Sequence, residues 1–404
     1  MRERLVIVGA GMAAARLVRE IRARCPERFA LTLVGNEPHV PYDRIQLSAV
    51  LAGERDRDRL PLLQACELQG VELRLGTAAV RIDRESRTVE LADGSALAYD
   101  RLVLATGSEA VRLPLPGTAL DGVVTFRDLG DVDGLIAASG HAVVIGGGLL
   151  GLEAAYGLRR RGLGVTLVHL MPWLMERQLD RAAGALLRQR VEALGIEVLL
   201  GAQTEAILGT ERVEAVRFAG GREAPADLVV MAVGIRPMTT LARAAGLACG
   251  RGVQVDDGLA TSDPRIFALG ECAEHRGVGY GLVWPAYEQA EVLARRLAGE
   301  AASYPGSLVF TSLKVSGVPV WSGGEIADEA EGEPLVLRDT GRGLYRKLLL
   351  RDGRIVGAVL VGDVADGAWY AELMRAGTDV GLIRHRIAFG RAFAEAELPL
   401  GLAA

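Results

Sequence analysis

The 404-residue chain has four cysteines, Cys25, Cys66, Cys249 and Cys272, and none stands close to another. Without a C-x-x-C or other close pair, the sequence offers neither a redox dithiol nor the thiolate set of an iron–sulphur cluster. Any redox chemistry must therefore come from a bound cofactor. An apolar run of about 18 residues is also missing, which speaks against a membrane-spanning helix. Met1-Arg2-Glu3-Arg4 leads straight into an apolar strand rather than a signal-peptide core, so a cytoplasmic location is expected. Basic excess is lacking too. With 46 Lys and Arg against 51 Asp and Glu, the net charge of −5 argues against nucleic acid as the main partner. Lysine occurs only as Lys314 and Lys347 and asparagine only as Asn36, a codon-usage signature without functional content. His39, His141, His275 and His385 do not share metal-ligand spacing, so no metal is expected.

What is present is a rhythm. The chain exceeds the size of about 250 residues at which single cores stop growing, so two or three domains are expected. Half of it is hydrophobic and 24% is charged, as in a globular protein. Short β-branched runs recur: LVIV from Leu5, LTLV from Leu31, RLVLA from Arg101, HAVVI from His141, VTLV from Val165 and DLVVMAV from Asp227. Helical patterns lie between several of them, which is the βαβ order of a parallel sheet. The first helix should run from about Met12 to Cys25, with Leu17, Ile21 and Cys25 on one face and Pro26 ending it. From about Tyr304 the pattern changes to alternating strands, with RDGR as a hairpin tip and a closing helix near Ala368 to Ala376.

Two glycine-rich turns each follow a strand and open a helix. In GAGMAA, Gly9 allows the tight turn, Gly11 lets backbone approach a pyrophosphate, and Ala14 permits close helix–strand packing. The helix N-terminus would receive the anion. Glu37, after the next strand, stands near the offset of about 20 residues expected of a ribose-binding acid. The second turn repeats this with Gly146, Gly148 and Gly151, and its helix closes on Arg159, Arg160 and Arg161 before Gly162. Here no acid follows. The ribose-reading position falls on His169, which either contacts the ribose or its 2′-phosphate or stands idle at a strand end; Arg177 is the nearest cation in sequence. Two such sites suit one resident flavin and one visiting nicotinamide cofactor.

VLATGSEAVRLPLPG from Val103, AVGIRP from Ala232 and SDPRIFALGECAE from Ser262 occur in the order found in two-dinucleotide-binding-domain flavoprotein reductases, which the chain resembles. The resemblance implies an α/β fold of two Rossmann-like domains and a C-terminal α+β interface domain. The expected boundaries are 1–110 with 240–303 for FAD, 111–239 for NAD(P)H, and 304–404 for the third domain. EPHVPYDRIQLSAVLAGE, HLMPWLMERQLD, ALGECAEH, LKVSGV and GDVADGAWYAELMRAGTDV narrow the likeness to the N-terminal flavoprotein module of assimilatory NAD(P)H nitrite reductase, large subunit. The cysteine-rich segments that hold that enzyme's iron–sulphur and sirohaem centres do not appear among the 404 residues, so nitrite reduction by this chain itself is not expected.

The resemblance assigns Gly9, Gly11, Ala14 and Glu37 to the ADP half of FAD, Arg44 and Ser48 to the region of the flavin phosphate, and Val80 to a backbone contact with adenine. Ala105, Thr106, Gly107 and Arg127 match residues that pack on FAD, and Gly270 and Glu271 match the ribitol-binding pair. Trp284 falls where the next helix begins under the isoalloxazine ring. Ala49 replaces a lysine that putidaredoxin-reductase-like relatives carry after the serine. Gly146, Gly148, Leu149, Leu150, Gly151, Glu153, His169 and Gly234 match the NAD(P)H side. Glu153 approaches the nicotinamide in this superfamily, although a helix-dipole role would also place an acid there. Lys314 is either a cation near the flavin face or a solvated side chain. Met171 and Met175 read as packing residues, and Cys272 as a buried neighbour of the flavin.

Glu153 and Lys314 are thus the candidate catalytic residues. The implied activity is that of an FAD-dependent NAD(P)H oxidoreductase: hydride passes to the flavin, and electrons leave to a separate ferredoxin-, rubredoxin- or haem-type protein or to a nitrate or nitrite reductase subunit. Nitrate or nitrite assimilation and nitric oxide metabolism are the expected settings. A general rubredoxin or ferredoxin reductase, an NADH oxidase, and a redox-sensing flavoprotein resembling apoptosis-inducing factor remain alternatives. Oligomeric state and nicotinamide preference stay open.

Overall fold

The computed structural model describes residues 2–313 and 318–396. Lys314 lies outside the described residues. The chain forms two compact units, one made of residues 1–46, 56–109 and 235–307, the other of 47–55, 110–234 and 308–404.

In the first unit, Glu3–Val8 is the middle strand of a five-stranded parallel sheet. It is flanked by Arg101–Leu104 and Ile266–Ala268 on one side and by Phe29–Gly35 and Val71–Leu75 on the other. The strand is apolar without alternation because both its faces are covered. Leu5 and Ile7 enter a core with Leu17, Ile21 and Leu293, whereas Val6 and Val8 pack with Ile82, Val89 and Tyr99. Helix Met12–Arg24 buries Ala14, Leu17, Val18 and Ile21, the face expected from their spacing, and Cys25 becomes its C-cap, partly buried against the same core. The C-terminal ends of the strands carry the first glycine turn and the segment after Leu104. In open α/β sheets this edge is where ligands bind.

The second unit repeats the plan. His141–Ile145 is central in a parallel sheet with Gly164–His169 and Glu197–Leu200 on one side and Leu228–Met231 and Val123–Thr125 on the other. The same unit contains a five-stranded antiparallel sheet ordered Phe310–Leu313, Val320–Gly324, Arg354–Val361, Leu344–Arg351 and Glu333–Asp339. Its RDGR tip has Asp352 at φ 48° and Gly353 at φ 71°, the two left-handed residues of a hairpin turn whose twist matches the strands. Helix Gly367–Ala376 covers this sheet with Trp369 and Tyr370 and ends on Gly377 in the left-handed conformation. Asp180 ties helix Arg181–Ala193 to the antiparallel sheet. It caps helix Arg181–Ala193 through the Ala183 N–H at 2.9 Å, accepts the Tyr345 hydroxyl at 2.6 Å and pairs with Lys347 at 3.3 Å. These side chains are almost fully buried, so the ion pair is satisfied by three donors rather than by water.

The α/β class with Rossmann-like parallel sheets and a C-terminal antiparallel sheet is the fold that the sequence implies.

Candidate functional site

The two glycine turns share one geometry. Gly9 has φ +113° and Gly146 φ +120°, and a Cβ on either would collide with a carbonyl oxygen, that of Ala105 at 2.0 Å or of Ala232 at 2.2 Å. Each first glycine is therefore dictated twice, by backbone conformation and by the neighbouring strand end. Gly11 and Gly148 are the opposite case. A Cβ on either would meet nothing within 4 Å. Each is the N-cap of its helix, with no side chain capping it and no acid in the first helical turn. Each helix thus begins at an open glycine position without a side-chain cap for its first N–H groups, which suits the cradle a pyrophosphate requires. Both turns fit a dinucleotide. The third position is also satisfied in both: Ala14 is fully buried, and a Cβ on Gly151 would sit 1.8 Å from the Gly146 carbonyl oxygen.

The unit of the first turn holds several candidate residues that are far apart in sequence. Glu37, just past strand Phe29–Gly35, accepts a hydrogen bond from the Tyr42 hydroxyl at 2.6 Å and pairs with Arg44. The Arg44 guanidinium lies 4.8 Å from the centre of the Tyr42 ring. Ala105 abuts Gly9, and the Thr106 hydroxyl donates to the Met238 carbonyl at 3.0 Å. The Gly270 N–H donates to Gln289 Oε1 at 2.7 Å, and Glu271 accepts from the Ser108 hydroxyl at 2.6 Å. Cys272 is fully buried with its thiol directed to the Leu104 and Leu269 carbonyls, and burial pushes its pKa up. Val80 is half exposed on strand Ala79–Asp83. Trp284 opens helix Val283–Ala298, is exposed, and donates its indole N–H to Glu288 at 2.7 Å.

Around the second turn, Leu149 and Leu150 begin helix Leu149–Arg160, and Ala232 to Gly234 run past Gly146. Gly234 has φ +118° and an open Cβ position. Glu153 sits in the second turn of this helix, partly buried, and burial pushes its carboxyl up to about 7. The Ser48 side chain hydrogen-bonds to it and opposes that shift. Ser48 belongs to the short helix Leu47–Leu51, which packs closely because a Cβ on Gly157 would overlap Leu51, and Arg161 Nε donates to the Leu51 carbonyl. His169 is buried, with Nδ1 on the Gly147 N–H at 3.0 Å and Nε2 on Glu176 at 2.9 Å. Arg177 is exposed, Met175 is fully buried and Met171 is exposed, so only Met175 of the two methionines packs. Arg127 is partly buried just before helix Leu129–Ala137, its N–H on Asp131 at 2.7 Å.

The residues that sequence reasoning passes over are Tyr42, Ser108, Gln289 and Glu176. Ser108 directly follows the quoted Ala105-Thr106-Gly107 run and could have been found there. Gln289 gave no signal, because it acts on Gly270, 19 positions away, through the fold; Glu176 stands inside the quoted HLMPWLMERQLD run, but its contact with His169 arises only when the chain folds back. Among the described residues, no group of His, Cys, Asp or Glu could hold a metal ion, and no helix is long and apolar enough to cross a membrane.

Residues 3–291 match the family described as pyridine nucleotide-disulphide oxidoreductase, and residues 310–378 match the rubredoxin NAD+ reductase C-terminal domain. The chain is 47% identical over 372 residues to nitrite reductase [NAD(P)H] of Bacillus subtilis (strain 168), covering 91% of this chain but 46% of that enzyme. It thus spans less than half of that relative's length. The ferredoxin reductase component of the chlorobenzene dioxygenase of Cupriavidus sp. (strain PS12) is 36% identical over 398 residues, 93% of each chain. Among solved structures, the putidaredoxin reductase–putidaredoxin complex superposes with a TM-score of 0.87 at 27% identity, over 98% of this chain and 99% of that one. Fold, paired cradles and matches agree: the chain belongs to the pyridine nucleotide-disulphide oxidoreductase family.

Proposed function

We propose that this chain is an electron-transfer module that takes electrons from NAD(P)H and passes them to a separate redox protein of the ferredoxin, rubredoxin or haem type, or to a nitrate or nitrite reductase subunit. One observation carries the reading: two pyrophosphate cradles coexist with cysteines unsuited to dithiol exchange. Cys272 is sealed, burial raises the thiol pKa of Cys25 and Cys249, and Cys66 is exposed and alone. A thiol–disulphide relay needs a thiolate and a nearby partner. Bound FAD supplies the change from two-electron hydride acceptance to one-electron release.

The residues of the chain bind and position. Gly9, Gly11 and Ala14 would hold the FAD pyrophosphate at the first helix, with Glu37 at the ribose and Arg44 fixing Glu37. Ala105, Thr106, Gly107, Gly270 and Glu271 would line the rest of the cofactor, Val80 its adenine and Trp284 its ring. Gly146, Gly148 and Gly151 would seat NAD(P)H, with Gly234 leaving room for the nicotinamide. Glu153, with a carboxyl that titrates near neutrality, would hold or release a proton at the nicotinamide end, and Ser48 sets how readily it ionises.

The names of the relatives support both acceptor classes, a nitrite-reducing centre and a ferredoxin. Stopped-flow mixing of the purified chain with NADH under anaerobic conditions tests the reading. Prompt bleaching of the flavin, followed by rapid reoxidation with a ferredoxin-type acceptor, is expected. Slow bleaching with a persistent long-wavelength band and no acceptor turnover would refute it.

A further inference from the structure

The second cradle has no acid at the end of its second strand, yet the fold delivers one from seven residues further along. His169 ends strand Gly164–His169, and its ring is buried directly beneath the glycine turn: a Cβ on Gly147 would lie 2.7 Å from His169 Cγ. Nδ1 accepts the Gly147 N–H at 3.0 Å, so that nitrogen carries no proton. The neutral ring therefore has its proton on Nε2 and donates it to Glu176 Oε2 at 2.9 Å. A backbone donor thus fixes the tautomer, and the tautomer orients the carboxylate.

The carbonyl of the same glycine is also tied. The Gly147 carbonyl accepts the N–H of Met175 at 3.0 Å. Met175 is fully buried and adopts φ 54°, a left-handed conformation that a methionine rarely takes. Its own carbonyl accepts from Gln178 and Leu179, both at 2.8 Å. This reversal turns the chain so that the next residue, Glu176, comes back against the strand end. A strained residue that is tied on both sides is a feature that positions something.

We propose that Glu176 reads the adenosine ribose of the nicotinamide cofactor, accepting from its 2′-hydroxyl and disfavouring a 2′-phosphate, with His169 as the positioning residue that orients it. The inference rests on the reading of the second turn as the nicotinamide-nucleotide site. In a βαβ dinucleotide fold the carboxylate at this strand end takes the ribose 2′-hydroxyl. Glu176 stands at that end, with Oε2 committed to His169, while the cation nearest Oε1, the exposed Arg177, is 3.9 Å away, beyond hydrogen-bond length. An acceptor is therefore left for the sugar. A 2′-phosphate there would place about two negative charges against a carboxylate held in position.

Calorimetric titration of the FAD-loaded full chain with ADP-ribose and with 2′-phospho-ADP-ribose tests this without any redox step. The wild type should prefer ADP-ribose. E176A should lose roughly tenfold in ADP-ribose affinity, about 1.4 kcal/mol, with no loss for the 2′-phosphorylated fragment and an unchanged melting temperature. H169Q should shift the same ratio, and adding it to E176A should shift it no further. An unchanged preference in E176A, or a wild type that prefers the 2′-phosphorylated fragment, overturns the role of Glu176 while leaving the site assignment intact. If the wild type binds neither fragment, the assignment of the second turn fails and the proposal with it.

Discussion

Replacing Glu153 by glutamine removes an ionisable group whose folded-state pKa is about 7 against an ordinary 4.5, while keeping the shape of the protonated acid. Below about pH 4.5 both folded and unfolded chains carry the proton, and the substitution should change stability little. Between about 4.5 and 7 the unfolded chain has lost its proton and the folded one has kept it. Unfolding then releases a proton, so wild-type stability falls as pH rises. Above about 7 the folded protein must hold a carboxylate away from water, at a cost of up to about 3 kcal/mol at about 1.4 kcal/mol for each tenfold change in acidity. E153Q does not bear that cost. In a compact unit of this size about 1 kcal/mol moves Tm by roughly 2–4 °C, so the mutant should melt roughly 5–10 °C above wild type at about pH 8 and within a degree or so at about pH 4. Differential scanning calorimetry of the two full chains across that range measures the gap. The Ser48 hydrogen bond favours the ionised form, so S48A should leave the opening of the gap at about pH 4.5, where the unfolded chain ionises, and make the gap larger, levelling off at higher pH. A Tm difference independent of pH would refute the argument, because only a group that titrates differently in the two states can produce the slope.

Further expectations concern the turns, the buried ion pair and the thiols. G11A places its Cβ in open space at an ordinary backbone conformation, and should fold normally but lose FAD; G9A drives a Cβ into the Ala105 carbonyl and should fail to yield soluble protein, as judged by flavin content and recovery. K347M removes the cation facing buried Asp180, which keeps its Tyr345 and N-cap donors, and should cost about 3 kcal/mol, seen as a lower Tm. Iodoacetamide should modify native protein fastest at exposed Cys66 and leave Cys272 intact, by peptide mass mapping; rapid loss of activity on labelling in a C66S background would contradict a dithiol-free mechanism.

Strand–turn–helix order made both glycine turns legible from local sequence. Gly9 and Gly146 are needed for a backbone conformation, and Gly11 and Gly148 for an empty position, and both needs act within a few residues. Apolar runs at Leu5 and His141 announced strands covered on both faces, and the RDGR tip announced its hairpin, because these too are short-range constraints. The cysteine spacing alone set aside dithiol chemistry.

Tertiary structure decided what depends on distant partners. Ser48 and Arg44 lie four residues apart in one motif, yet one meets Glu153 and the other Glu37, because the segment 47–55 packs with the second unit. The near-neutral carboxyl of Glu153 follows from burial, which no residue type encodes. The second site lacks an acid when read along the strand, and has one in space because Met175 turns the chain back and His169 orients Glu176. Sequence thus determined which local conformations and which cofactor chemistry are possible. Folding decided which charges are buried and which side chains meet, since both depend on contacts between segments that sequence separation keeps apart.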